Sequence, residues 1–160
     1  MIQRQDSRQH IRQIDFMFYH EKEIRRAVED AKNERETPDI RNGSGLPDPT
    51  ASEAIKWLTP VKSVLIGGHD EEINGQMVVI GAQEVKYPER WLTVIDETYA
   101  WCKRQKDCRY EIARRMYSGS SYIKICMELN ISQATISLIF EKVRARATIL
   151  AYRLDLISLD

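Results

Sequence analysis

Several kinds of residue are scarce in this 160-residue chain, and each scarcity excludes a class of protein. Three cysteines, Cys102, Cys108 and Cys126, leave one unpaired and form no Cys-x-x-Cys, so reduced thiols are expected rather than a disulfide framework or a zinc knuckle. Three histidines, His10, His20 and His69, are scattered along the chain, and no Gly-x-Ser-x-Gly, Walker loop or His-Glu-x-x-His occurs. The reading is therefore a protein that is not an enzyme and takes no metal or cofactor. Apolar runs such as Val78-Val79-Ile80 fall far short of a membrane span, and the start, Met1-Ile2-Gln3-Arg4, is polar with no apolar stretch behind it. A soluble, cytoplasmic chain with no membrane partner is expected.

Net charge is absent too, with 24 Lys plus Arg against 24 Asp plus Glu. The sum hides a gradient. Through Cys102 there are 13 basic and 18 acidic residues, and after it 11 basic and 6 acidic. An acidic first part followed by a basic last third points to a nucleic-acid partner for that last third. Length and an apolar fraction of 42% support one core with appendages. The division expected is residues 1–107, a helical platform with a β-hairpin, and 108–160, a basic module.

What is present reads mainly as helix. From Ser7 to Glu36, Ile11, Ile14, Phe18, Ile24, Val28 and Ala31 return to one side of a 3.6-residue helix, with a polar break at Glu21, and Thr37-Pro38 ends it. This helix either lies on its own core or serves as a dimerisation arm. After a loop with two glycines and two prolines, Asp48 caps a second helix that Pro49 opens and Thr59-Pro60 stops. The Gly43-Ser44-Gly45 stretch lacks a following Gly-Lys-Ser/Thr, so it reads as a turn rather than a phosphate cradle. Val61–Ile66 and Met77–Ile80 predict a small β-hairpin with a mobile, solvated tip over Gly67–Gly75, in which His69, Asp70, Glu71 and Glu72 lack the held geometry of a site. Pro88 then opens a helix to about Lys106, whose Trp91, Leu92, Ile95, Tyr99 and Cys102 form an apolar face.

The most specific pattern lies between Tyr110 and Leu154. A helix ends at Ser118-Gly119, a second runs Ser121–Leu129, Asn130-Ile131 make a tight turn, and Ser132 caps a third. Asn130 tolerates the positive φ such a turn needs, Cys126 is small where the helices cross, and Ile125, Leu129, Ile131, Ile136 and Ile139 converge on one core. This spacing predicts a helix-turn-helix. Gln133, Ala134, Thr135 and Ser137 on the third helix are the candidate base readers, because Gln pairs with adenine edges and small residues let a helix sit deep in the major groove. Arg114, Arg115, Lys124, Lys142, Arg144 and Arg146 are the candidate phosphate contacts. The last helix continues through Ala147–Ile157, apolar enough to pack back on the chain or on a second subunit.

In this order of parts, with Gly43-Ser-Gly45, Asp48-Pro-Thr-Ala51, Pro88-Glu-Arg-Trp-Leu92 and the reader Tyr122–Val143, the chain resembles the phage late transcription regulators of the RinA/ArpU-like group. Their C-terminal part is similar to the region-4 helix-turn-helix of sigma factors. The resemblance implies a regulator that binds double-stranded DNA at phage or prophage late promoters, with recognition carried by Gln133, Thr135 and Ser137. It leaves RNA polymerase and self-association open as further partners, and a small terminase subunit, which recognises DNA for genome packaging, as the alternative.

Overall fold

The computed structural model describes residues 3–158, and the chain is mainly α; the described residues form seven helices and four short strands. The first apolar repeat does not form one helix. It splits into α1 (Gln3–Tyr19) and α2 (Glu21–Asn33), and the break falls at His20, beside the polar interruption at Glu21. The Glu21 carboxylate accepts a hydrogen bond from the Arg114 guanidinium at 3.2 Å. The remaining helices are α3 (Pro49–Leu58), α4 (Pro88–Arg104), α5 (Arg109–Tyr117), α6 (Tyr122–Leu129) and α7 (Gln133–Arg153). No single helix among the described residues is long and apolar enough to cross a membrane.

The chain divides into two compact units, residues 22–89 and residues 1–21 with 90–160. This differs from a cut after residue 107. Composition changes near that point, but packing joins α1 and the aromatic α4 to the basic last third.

In the unit of residues 22–89, Asp48 caps α3 as expected, its carboxylate accepting from the Ala51 N–H at 3.0 Å, with Pro49 opening the helix. Arg35 donates to the carbonyls of Lys56, Thr59 and Pro60, closing the end of α3. The Glu89 carboxylate accepts from Lys32 and from the Val61 N–H.

The stretch Gly67–Gly75 is solvent-exposed as expected, but most of it is strand rather than an irregular tip. β1 (Ser63–Ile66) pairs with β4 (Gln83–Lys86), and β2 (His69–Ile73) pairs with β3 (Gln76–Ile80), both antiparallel. Ile66 opposes Gln83 and His69 opposes Ile80, so the two ladders share one register and form a single long hairpin interrupted once. Only Asn74 and Gly75 turn the chain, with φ of 54° and 77°. Two positive φ values in a two-residue loop match the right-handed twist of the strands. His69-Asp-Glu-Glu lacks strand alternation, and it is a strand because β3 supplies the partner backbone. Gly68, at the interruption, is held by close approach as well as by φ, since a Cβ there would meet Ala82 N and Ile80 O at 2.9 Å.

The other unit is built around aromatic rings. Ile14, Met17 and Phe18 of α1 are buried, and Phe18 contacts Tyr99 of α4 and Tyr117 of α5 at centroid distances of 5.5 and 4.8 Å. Tyr117 in turn meets Phe140 of α7 at 5.0 Å. The apolar face expected on α4 is buried, Trp91, Leu92, Ile95, Tyr99 and Cys102 included.

One polar network crosses this core. Asp15 of α1 accepts two hydrogen bonds from the Arg144 guanidinium, at 3.0 and 2.6 Å, and one from the Tyr117 hydroxyl at 2.8 Å. Burial and the adjacent Asp15 charge push the Tyr117 hydroxyl well above the usual tyrosine range, and burial holds Tyr99 up at about 12. Burial opposes the charge of Arg144, but its bonds and attraction to Asp15 outweigh that and raise it above its ordinary value.

Two measurements follow. Asp15→Ala leaves the guanidinium half-buried without its carboxylate and is expected to cost about 2–4 kcal/mol in urea unfolding, whereas Asp15→Leu with Arg144→Met loses less. Unfolded tyrosines ionise near pH 10 while folded Tyr99 and Tyr117 keep their protons, so the unfolded state binds fewer protons above that pH. Stability is then full below about pH 10 and falls by about 1.4 kcal/mol per pH unit for each tyrosine above it, until Tyr99 itself ionises near 12. Denaturation midpoints between pH 9 and about 12, with Tyr117→Phe showing a shallower decline, check the assignment.

Candidate nucleic-acid interface

Local chemistry builds the last three helices. α5 ends at Ser118, and Gly119, at φ +88°, reverses the chain. Ser121 caps α6, accepting from the Lys124 N–H at 3.2 Å. Asn130 then takes the left-handed conformation, φ 53° and ψ 49°, and the N–H groups of Asn130 and Ile131 both reach the Cys126 carbonyl. Ser132 caps α7, accepting from the Thr135 N–H at 3.2 Å. Only Asn130, Ile131 and Ser132 separate the two helices, and the chain bends by 105° between them.

Apolar side chains hold that angle. Ile125 of α6 and Ile136 of α7 are fully buried, Ile139 nearly so, and Leu129 and Ile131 half-buried. α7 packs against α1, α5 and α6 along one side, which leaves its opening turns free on the other. Gln133, Ala134, Thr135 and Ser137 are all exposed there. Thr135 also lends its hydroxyl to the cap, 2.8 Å from Ser132 Oγ, so its methyl group is what it offers outward.

The six basic residues are not equivalent. Lys142 is exposed on α7, and Lys124 is exposed on α6 with its Nζ 3.9 Å from Glu128. Arg115 is paired with Glu128 and lies 3.6 Å from Glu111. Arg114 lies over the Tyr99 ring at 4.9 Å and bonds Glu21. Arg144 is committed to Asp15 and packs over Phe140 at 4.3 Å, so its guanidinium is a fastening inside the unit. Arg146 is half-buried against Trp101, its Nε enclosed without a hydrogen-bond partner. The positive charge facing solvent around the opening of α7 is therefore carried chiefly by Lys124 and Lys142.

Sequence reasoning missed Asp15 and Tyr117 as the partners of Arg144. No local signal marks a carboxylate 129 residues away. It also missed that Ile123, Met127 and Leu138 stand 60–78% exposed around the bend. Among the described residues no group of three or more His, Cys, Asp or Glu side chains could hold a metal ion.

The bend itself is testable. Asn130→Val, a β-branched residue forced left-handed, is expected to cost about 1–2 kcal/mol in thermal or urea unfolding, while Asn130→Gly stays near neutral. With this geometry in hand, comparison of the chain with family models, with curated proteins and with solved structures found no match.

Proposed function

We propose that this protein is a sequence-specific binder of double-stranded DNA, a transcriptional regulator of phage or prophage late genes, that reads the major groove with the first turns of α7. The observation that carries this reading is the α6–α7 arrangement. Two helices bent by 105° across a left-handed Asn130 present a capped second helix whose first exposed residues are small and polar. A side chain of Phe or Trp size there would hold the backbone away from the bases. Gln133 offers a donor and an acceptor to an adenine edge, Ala134 and the Thr135 methyl offer contact to a thymine methyl, and Ser137 completes the face.

Phosphate binding falls to Lys142 and Lys124, with the N-terminal N–H groups of α7 adding to them. Arg114, Arg115, Arg144 and Arg146 act mainly through the ion pairs and ring contacts that keep α5 and α7 in place. Few exposed cations means a shallow salt dependence, and more of the specific affinity must come from base contacts than in a strongly basic reader. The assignment to late-gene control rests on the resemblance alone.

Selection from a random duplex pool followed by sequencing tests the reading. One recurring motif is expected, and an absence of any enrichment overturns DNA recognition. On the selected motif, Gln133→Ala is expected to lose about 1–3 kcal/mol and relax one base position. Lys142→Ala is expected to weaken specific and random DNA alike and lower the salt slope by about 0.9. Equal effects of both changes on both DNAs contradict the division of roles.

A further inference from the structure

Three cations at the junction of α4 and α5 take no part in the contacts described above. Lys103, Arg104 and Lys106 are exposed, and among the described residues none of them pairs with a carboxylate. Lys103 has its ammonium 4.7 Å from the Tyr110 ring. The turn that carries them is held in place. The Gln105 N–H donates to the Cys102 carbonyl at 3.2 Å, and its side-chain amide donates to the Trp101 carbonyl at 3.3 Å. Asp107, the one carboxylate between Lys103 and Arg109, accepts from the Arg109 N–H and Nε at 3.0 and 2.6 Å. The junction also lies beside α7, because Arg109 and Arg146 both approach the Trp101 ring, at 4.8 and 5.9 Å. On α7, Thr135, Lys142 and Arg146 are seven and four residues apart and so follow one line of the helix.

We propose that the α4–α5 junction is a second DNA contact, in which Lys103, Arg104 and Lys106 hold backbone phosphates flanking the base pairs that α7 reads; this rests on the DNA reading of α7. A helix is about 10–12 Å across and a major groove about 12 Å wide, so a seated helix turns each flank toward one bounding strand. The flank that starts at Thr135 passes Lys142 and reaches Arg146 and the junction after about 17 Å. Phosphates of one continuous strand therefore meet Lys142 first and the junction cations next. Arg109 and Arg146 keep their contacts with Trp101 and act as positioning residues, fixing the junction against α7. Contacts of this kind add affinity on any sequence, and they set how far along the duplex the protein reaches. A duplex that covers only the motif keeps the shallow salt dependence of the reader, and a longer one gains the junction.

Salt titrations of the full chain test this on three duplexes: the selected motif alone, the motif extended by about ten base pairs on each side, and a random duplex of the longer length. The extended duplex is expected to bind more tightly, with a salt slope steeper by about 2–3, since each phosphate contact contributes about 0.9. Lys103→Gln, Arg104→Gln and Lys106→Gln combined remove that extra slope and weaken the extended and random duplexes about tenfold or more. They leave the base preferences of the motif unchanged, and helix content by circular dichroism persists because all three positions are exposed. Ethylation of phosphates outside the motif is expected to interfere with binding of the wild-type chain and not of the triple variant. A triple variant that matches the wild type on the extended and random duplexes overturns the inference, whatever Gln133→Ala does on the motif. A pool without enrichment, together with random-duplex binding that falls in the triple variant, overturns base reading and supports the junction contact.

Discussion

The bond of Asp15 to Arg144 and Tyr117 is the constraint on which the helical unit depends. One carboxylate on α1 takes two guanidinium hydrogens from α7 and a hydroxyl hydrogen from α5, in a setting lined by Phe18, Phe140 and Tyr99. Aromatic rings pack around it, but rings tolerate sliding. A bidentate carboxylate–guanidinium pair does not, because two parallel hydrogen bonds fix both distance and plane. The network therefore sets the azimuth of α7, and with it which residues the helix shows to solvent: Gln133, Ala134 and Ser137 at one end, Ala145, Ile149 and Tyr152 at the other.

That role has an electrostatic consequence. The last third of the chain is basic by count, yet Arg144 and Arg115 spend their charge on Asp15 and Glu128, and Arg114 spends part of its own on Glu21. Two of these three carboxylates lie in the first 21 residues, so the acidic start of the chain offsets the basic end through specific pairs rather than as a diffuse field. A surface with fewer free cations binds random polyanions more weakly.

Local features were legible in the residues because their physics is local. Asp48, Ser121 and Ser132 are caps wherever they precede a helix, since each oxygen bonds an N–H three residues on. Asn130 before Ile131 announces a left-handed turn, and the buried α4 face is visible in the spacing of Trp91, Ile95, Tyr99 and Cys102. The misreadings have equally physical causes. A 3.6-residue apolar period runs through His20 without showing that the helix stops there. His69-Asp-Glu-Glu-Ile73 has no strand pattern of its own, and its conformation comes from hydrogen bonds to Gln76–Ile80. The candidate base readers are exposed on one helix, but the candidate phosphate contacts follow from charge and place in the helices, and neither reveals which arginine is already bound.

The sequence by itself determined the mainly helical class, where most helices start and stop, the bend between α6 and α7 and the small polar opening of α7. These depend on residues within a turn or two of one another. Only the tertiary structure decided that α1 and α4 join the last third, that Arg144 is a fastening, and that the far half of α7 shows Ala145, Ile149 and Tyr152 to solvent. Those outcomes rest on pairings between residues about a hundred positions apart, such as Asp15 with Tyr117 and Arg144. Such pairings are settled by the packing of the whole unit, because any of several exposed arginines could have met Asp15 and geometry admits one.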